Sequence, residues 1–496
     1  MEWKRRSPAP MASTESDQLA ALPGQLPVRD SYSHDPAHPT WHFTAPTGWI
    51  NDPNGLAQWD GTYHLFYQFN PQEPRHRHIL WGHATSVDLV HWSDQPIALA
   101  PDSAGPDREG CWSGVLVDDD GVPTIVYSAH DGELQLPALA TGDATLTTWT
   151  KDPTNPVIAA PPEGFSVTAF RDHCVWKEGD TWNQLIGSGI RGVGGTAFLY
   201  QSTDLRNWSF SGPILVGDAA TREPFWTGTM WECVDLFELD GRHVLIFSAW
   251  DEGNTHYSAY YTGSYAAGTF TPDGLHLLDH GLRHFYAPQS FLDEHGRRII
   301  MGWMQEGRPQ DAADAAGWSG VLSAPRILSW APDGRLHMNP VPELAKLRKT
   351  HFTVGQRHIE PDQPSLRLGA GRCVDIELTI RCPTDDGLLM LDVLCDRESR
   401  ERTRVVVDWS RRQLRLDRRA SSLDPTDTTD LSAPLTLDSG KVEVRVLLDH
   451  STIEIFANGI ALSARTYPAS DDAVGVELTA QGGRVEVESG ALWQLA

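Results

Sequence analysis

Asp60-Gly61-Thr62-Tyr63-His64-Leu65-Phe66-Tyr67-Gln68-Phe69 joins an acidic-glycine turn to a strand of aromatic and apolar residues. Such a pair supplies the positive φ angles that a tight β-hairpin needs. The pattern returns as Asp120-Gly121 before VPTIVYS and as Glu178-Gly179 before DTWNQLIG. It returns again as Asp240-Gly241 before RHVLIFSAW and, more loosely, as His295-Gly296 before RRIIMGWM. Successive glycines lie 60, 58, 62 and 55 residues apart. A period near 60 that holds several short strands fits one four-stranded blade per repeat. Five copies predict a five-bladed β-propeller. Ser86-Val-Asp88-Leu89-Val-His-Trp92 and Ser202-Thr-Asp204-Leu205-Arg-Asn-Trp208 form a second repeat, read as a turn that packs a Trp between blades.

The repeat register also points to a site. Asp52, Trp112 and Glu232 each lie nine residues before the glycine of their repeat. Arg171 and Asp172 lie eight and seven before Gly179. Equivalent positions on innermost strands converge on one channel. A pocket lined by Asp52, Asp172 and Glu232 with Trp and Arg has the composition of a carbohydrate hydrolase.

After Pro325 the pattern changes. Residues 341–351 read as a short helical or irregular linker. From 352 to 496, CVDIELTI, GLLMLDVL, RTRVVVDW, KVEVRVLLD, STIEIFANG, GVELTA and GRVEVES alternate as the strands of a β-sandwich do. The polar stretch 417–433 reads as a flexible loop. The fold class is therefore all-β, with the propeller over 31–340. Residues 1–30 carry Lys4, Arg5 and Arg6 without a following apolar region and read as a disordered tail rather than a signal peptide.

Bulk properties narrow the function. The formal charge of −26 repels nucleic acid and anionic membranes and suits a neutral ligand. Six cysteines without a CxxC pair read as reduced thiols. No run of 18 apolar residues predicts a membrane span. A cytoplasmic protein is expected. No His/Cys/carboxylate cluster has metal-ligand spacing and no Gly-Lys-Ser phosphate loop occurs, so neither metal nor cofactor is expected.

Cleaving a glycosidic bond with retention needs a carboxylate nucleophile and a carboxylic acid about 5–5.5 Å apart. A third carboxylate can bind sugar hydroxyls and raise the acid's pKa. Asn51-Asp52-Pro53-Asn54-Gly55 alone could be a simple turn, since each residue is a turn former. Its neighbourhood says more. WINDPNG (49–55) after HPTWHFTAPTG resembles the signature of glycoside hydrolase family 32, which holds invertases, fructan exo-hydrolases and sucrose-6-phosphate hydrolases. Further similar blocks follow in order: Tyr67-Gln68-Phe69-Asn70-Pro71, WGHATSVDLVHW (81–92), Trp112-Ser113-Gly114, Phe170-Arg171-Asp172 and Trp231-Glu232-Cys233. Tyr286 to Phe291, Gly317-Trp318 to Arg326, and STIEIFANG with Arg465-Thr466-Tyr467-Pro468 extend the likeness over residues 38 to 490.

The resemblance implies that Asp52 is the nucleophile and Glu232 the acid/base. It implies that Asp172, with Arg171, binds fructosyl hydroxyls. Trp49, Asn51, Gln68, Trp81, Trp112 and Ser113 would line the fructose pocket. The implied activity is release of terminal β-D-fructofuranosyl residues from sucrose or short fructo-oligosaccharides. Sucrose-6-phosphate hydrolysis, fructan exo-hydrolysis and fructosyl transfer are the alternatives within the class. A fructan-binding protein with a dead site is the alternative outside it. The partner implied is a small or oligomeric fructoside.

Three positions depart from the family pattern. His173 and Val234 stand where it has Pro, and His76 stands where a Trp is common. His76 lies in Arg75-His76-Arg77-His78, which is either a solvated loop or a reshaped leaving-group wall. Cys233 either modulates the acid or packs.

Overall fold

The computed structural model describes residues 23–361, 363–437 and 440–495 and is almost entirely β. Five small antiparallel sheets follow one another along the chain. The first contains Gly48–Trp59, Thr62–Asn70, Leu80–Ser86 and Ser93–Leu99. The next three begin with Gly110–Asp119, Val167–Glu178 and Met230–Leu239, and the fifth with Tyr286–Leu292.

The hairpin turns explain this regularity. Asp60-Gly61, Asp120-Gly121 and Asp240-Gly241 are two-residue loops with positive φ at both positions, from 47° to 88°. That backbone matches the right-handed twist of the strands it joins. The third hairpin closes one residue later, on Gly179 and Asp180, and the fifth spans Asp293 to Arg297.

The first strands of the five sheets touch in a cycle, each its neighbour, and the fifth touches the first. Trp318–Ser319 adds to the first sheet in parallel beside Gly48–Trp59, so the chain returns to its starting sheet. Apolar faces of adjacent sheets meet in buried clusters such as Leu185 and Leu199 of the third sheet with Trp231 and Phe247 of the fourth. Trp92 and Trp208 each donate Nε1–H to the carbonyl of the Leu three residues earlier, whose φ is positive. Trp149 and Leu146 form a third copy, hidden because the acidic residue, Asp143, sits two positions further away.

The 3-10 turn Pro342–Leu347 leads to a seven-stranded and a six-stranded sheet that share one apolar core. All seven strands read from the sequence are present. The stretch 417–433 departs from its reading as flexible. Arg418 is fully buried and donates to the carbonyls of Arg465, Asp427 and Thr429. Asp427 N–H and the Thr426 hydroxyl bind the Gly307 carbonyl. A polar loop with its donors and acceptors satisfied packs as firmly as an apolar one.

A disordered tail was expected over 1–30. Its first 22 residues lie outside the described residues, whereas Gly24 and Gln25 exchange backbone hydrogen bonds with Ile97 and Arg29 pairs with Asp94. No helix among the described residues is long and apolar enough to cross a membrane. The six cysteines are free thiols.

Candidate active site

Each of the five first strands breaks register near its start. The breaks fall at Asn51-Asp52, Ser113, Asp172, Cys233-Val234 and Ala287-Pro288. A bulge turns a side chain out of the pleat and bends the strand. Here it does so at one level in all five sheets. Asp172, Cys233 and Ala287 take φ of 64°, 47° and 49°. Two of these strained turns are pinned alike: Asp172 N–H donates to Ser128 Oγ at 2.9 Å and Ala287 N–H to Ser248 Oγ at 3.0 Å. His173 supports the first pin. Gln184 Nε2 donates to its Nδ1, so Nε2–H of the imidazole donates to Ser128 Oγ.

Three carboxylates meet at these bulges. Asp52 Oδ2 accepts from Gln68 Nε2 at 3.1 Å, from the Ser113 hydroxyl and from the Cys233 thiol at 3.5 Å. Its Oδ1 accepts from Asn51 Nδ2 at 2.9 Å. Asp172 Oδ2 accepts from Cys233 N–H at 3.0 Å and faces the same thiol at 3.6 Å. Glu232 Oε1 takes two bonds from the Arg171 guanidinium, at 3.0 and 2.6 Å, and Oε2 takes the Tyr286 hydroxyl at 2.7 Å. Arg171 itself lies between the rings of Trp112 and Trp250.

Enclosure sets the electrostatics. Burial raises Asp52 to about 6, against its hydrogen bonds to Ser113 and Asn51, with the Glu232 charge adding to the rise. Burial raises Asp172 to about 7, opposed by Arg171 and reinforced by Glu232 and Asp52. Burial and the same three carboxylates push the Cys233 thiol well up, so it stays protonated and donates. Clustered carboxylates in an enclosed site cannot all ionise freely.

Trp49, Asn51, Gln68, Trp112 and Ser113, expected to line a fructose pocket, and Arg171, expected to bind its hydroxyls, lie around the three carboxylates. Trp49 Nε1–H donates to Asn51 Oδ1 at 2.7 Å. Trp81 is not at the surface of the pocket. It is fully buried on a third strand and donates Nε1–H to the Trp112 carbonyl, so it supports the wall from beneath. Tyr286, Trp250 and Ser128 escaped the sequence reading. Ala287, next to Tyr286, lies nine residues before Gly296, as Asp52 does before Gly61, and that offset was the available signal.

The 75–78 cluster points mostly elsewhere. Arg75 pairs with Asp314 and Glu73, Arg77 with Glu73 at 3.8 Å, and His78 with Glu109 at 3.8 Å. Only the His76 ring lies among the site residues, edge-on to both Trp49 and Trp112.

Clustered carboxylates with an arginine fork and surrounding indoles fit the chemistry of a glycosidase. The chain matches the model of the glycosyl hydrolases family 32 N-terminal domain over residues 42–340 and that of the family 32 C terminal over 343–494. It belongs to glycosyl hydrolase family 32. It is 33% identical over 483 residues to the sucrose-6-phosphate hydrolase of Escherichia coli, covering 92% of this chain and 95% of that one. It is 32% identical over 490 residues to the raffinose invertase of Escherichia coli, with the same coverage. The crystal structure of fructan 1-exohydrolase IIa from Cichorium intybus superposes with a TM-score of 0.83 at 26% identity, covering 93% of this chain and 97% of that one.

Proposed function

We propose that the chain releases terminal β-D-fructofuranosyl residues from sucrose or short fructo-oligosaccharides, with retention, through a fructosyl–Asp52 intermediate. The observation that carries this is the cluster of Asp52, Asp172 and Glu232 around Cys233 and Arg171. Asp52 Oδ1, which accepts a single hydrogen bond, attacks the anomeric carbon while Glu232 protonates the leaving oxygen. Glu232 then takes a proton from the water that opens the intermediate. Asp172 and Arg171 bind fructosyl hydroxyls and stabilise positive charge that develops on the ring. The ring of five sheets is a five-bladed propeller over 31–340, and the last two sheets are a sandwich over 352–496 that supports it. Six free thiols fit a cytoplasmic enzyme acting on imported sugars.

The two Escherichia coli relatives have almost equal identity to this chain, so their names do not separate neutral from phosphorylated sugars. The site favours the neutral ones. Arg75 and Arg77 are engaged by carboxylates, and a dianion must approach through the field of a −26 protein. The expected result is a kcat/KM for sucrose at least equal to that for sucrose 6-phosphate, and little change for either sugar in Arg75→Ala/Arg77→Ala. A more than tenfold preference for the phosphorylated sugar, lost in that variant, would reverse the assignment.

The carboxylates also set a pH profile. The nucleophile must be ionised, and its raised pKa places that step near 6 rather than near 4. Below about 6, kcat/KM should fall tenfold per pH unit. A profile flat down to pH 4.5 would contradict the enclosure of Asp52.

A further inference from the structure

His76 carries a hydrogen-bond chain that ends on the nucleophile. Its Nε2 lies 3.0 Å from Gln68 Oε1. Gln68 Nε2 donates to Asp52 Oδ2 at 3.1 Å and to Ser113 Oγ, and the Ser113 hydroxyl donates to the same Asp52 oxygen. Ionised Asp52 is an acceptor only, so the Gln68 amide must turn its NH2 toward it and its oxygen toward His76. His76 is therefore the Nε2–H tautomer, and every hydrogen in the chain points toward Asp52.

Although the residue is exposed, its imidazole sits between the rings of Trp49 and Trp112. That enclosure, with Arg171 and His130 nearby, pushes its pKa down to about 4. The tautomer then stays the same across the working range. The loop that carries His76 is braced from the fifth sheet's connection, where Gln310 donates to the Pro74 carbonyl and Asp314 pairs with Arg75.

We propose that His76 is a positioning residue for the nucleophile, holding the Gln68 amide so that Asp52 Oδ2 is saturated with donors and Oδ1 is left to attack. This rests on Asp52 being the nucleophile. Aligned donors polarise one another, so loss of the first weakens those that follow and raises the pKa of the carboxylate at the end. The charged and titratable groups around Asp52 are Glu232, Asp172 and Cys233, with Arg171 beside Asp172 and also near His76.

The test uses two substitutions that separate packing from donation. His76→Phe keeps a ring between the two indoles and removes the N–H. His76→Gln removes the ring and keeps an N–H donor. The expected result is that His76→Phe lowers kcat on sucrose about tenfold and moves the acid limb of kcat/KM upward by about half a pH unit. His76→Gln should restore most of the rate and the limb. In a Gln68→Ala background, His76→Phe should cost nothing further. If His76→Phe melts early, His76→Ala takes its place in the same comparison. The proposal is overturned if His76→Phe leaves the limb and kcat unchanged, if it raises only KM for sucrose, or if its effect adds fully to Gln68→Ala. Asp52→Ala, assayed alongside on an activated fructoside, separates the two claims: activity retained there would remove the nucleophile assignment itself.

Discussion

Asp52→Ala should lose activity on every fructoside, whereas Glu232→Ala should recover activity when the leaving group needs no proton. With sucrose, removal of the nucleophile is expected to cost at least about 10⁴-fold in kcat, and removal of the acid about 10²–10⁴-fold. With an aryl fructoside whose phenolate leaves unaided, Glu232→Ala should fructosylate within about tenfold of wild type, and Asp52→Ala should remain dead. Azide, a nucleophile that needs no base, should then speed turnover of Glu232→Ala, because the second step has lost its base. The geometry gives the reason for the contrast. Asp52 is almost enclosed, with three donors on one oxygen and one on the other. Glu232 is more open to solvent, and Arg171 and Tyr286 aim it from the side. Equal loss of aryl fructoside cleavage in both variants would refute the division of roles.

The hairpins were legible because their chemistry is local. A two-residue turn with positive φ at both positions selects Asp-Gly, and the strands on either side show their apolar pattern. The bulges were not legible. The bulged residues Asp52, Ser113, Asp172, Cys233 and Ala287 lie 9, 8, 7, 8 and 9 residues before the turn glycine, so no single offset finds them. The drift arises because the breaks skip different numbers of residues and the third and fifth turns close differently.

The repeat register and then the motif resemblance both pointed to Asp52, Asp172 and Glu232, and the structure brings these three side chains together. Trp81 shows the limit of that route. Its block matched, but a residue on a third strand lies one layer behind the wall it supports. Trp250 and the role of His76 depend on side-chain contacts for which the chain offers no sign, and Tyr286 shows itself only through the offset of its neighbour Ala287.

Glu454→Ala is expected to separate the two halves of the molecule. Glu454 is fully buried between the first five sheets and the last two. Its Oε1 accepts from Ala324 N–H at 2.7 Å and lies 2.8 Å from His42 Nε2, while Oε2 takes Nε and Nη2 of Arg326. Arg326 Nη1 continues to Asp279, which holds Ser463, and His42 Nδ1 meets Asp449 at 3.0 Å. Burial alone would raise the two acids. Instead Arg326 and His42 hold Glu454 at about 2, and the His42 contacts hold Asp449 at about 2.

Because the folded pKa values lie below the ordinary range near 4, these groups contribute stability above pH 4 and lose it as pH falls toward 2. Removing one partner of such a network leaves a buried charge without its counterion, which costs about 3–5 kcal/mol. Glu454→Ala should therefore unfold at clearly lower urea, in two resolved steps, and be less sensitive to acid than wild type between pH 4 and 2. Glu454→Met/Arg326→Met removes both charges but also strips buried Asp279 of its counterion, so it should be no more stable than Glu454→Ala, yet less unstable than the sum of its single changes. Urea transitions followed by tryptophan fluorescence at pH 7, 4 and 3 measure all of these outcomes. An unshifted transition for Glu454→Ala, or a double variant as unstable as the sum of its single changes, would show that the network does not hold the halves together.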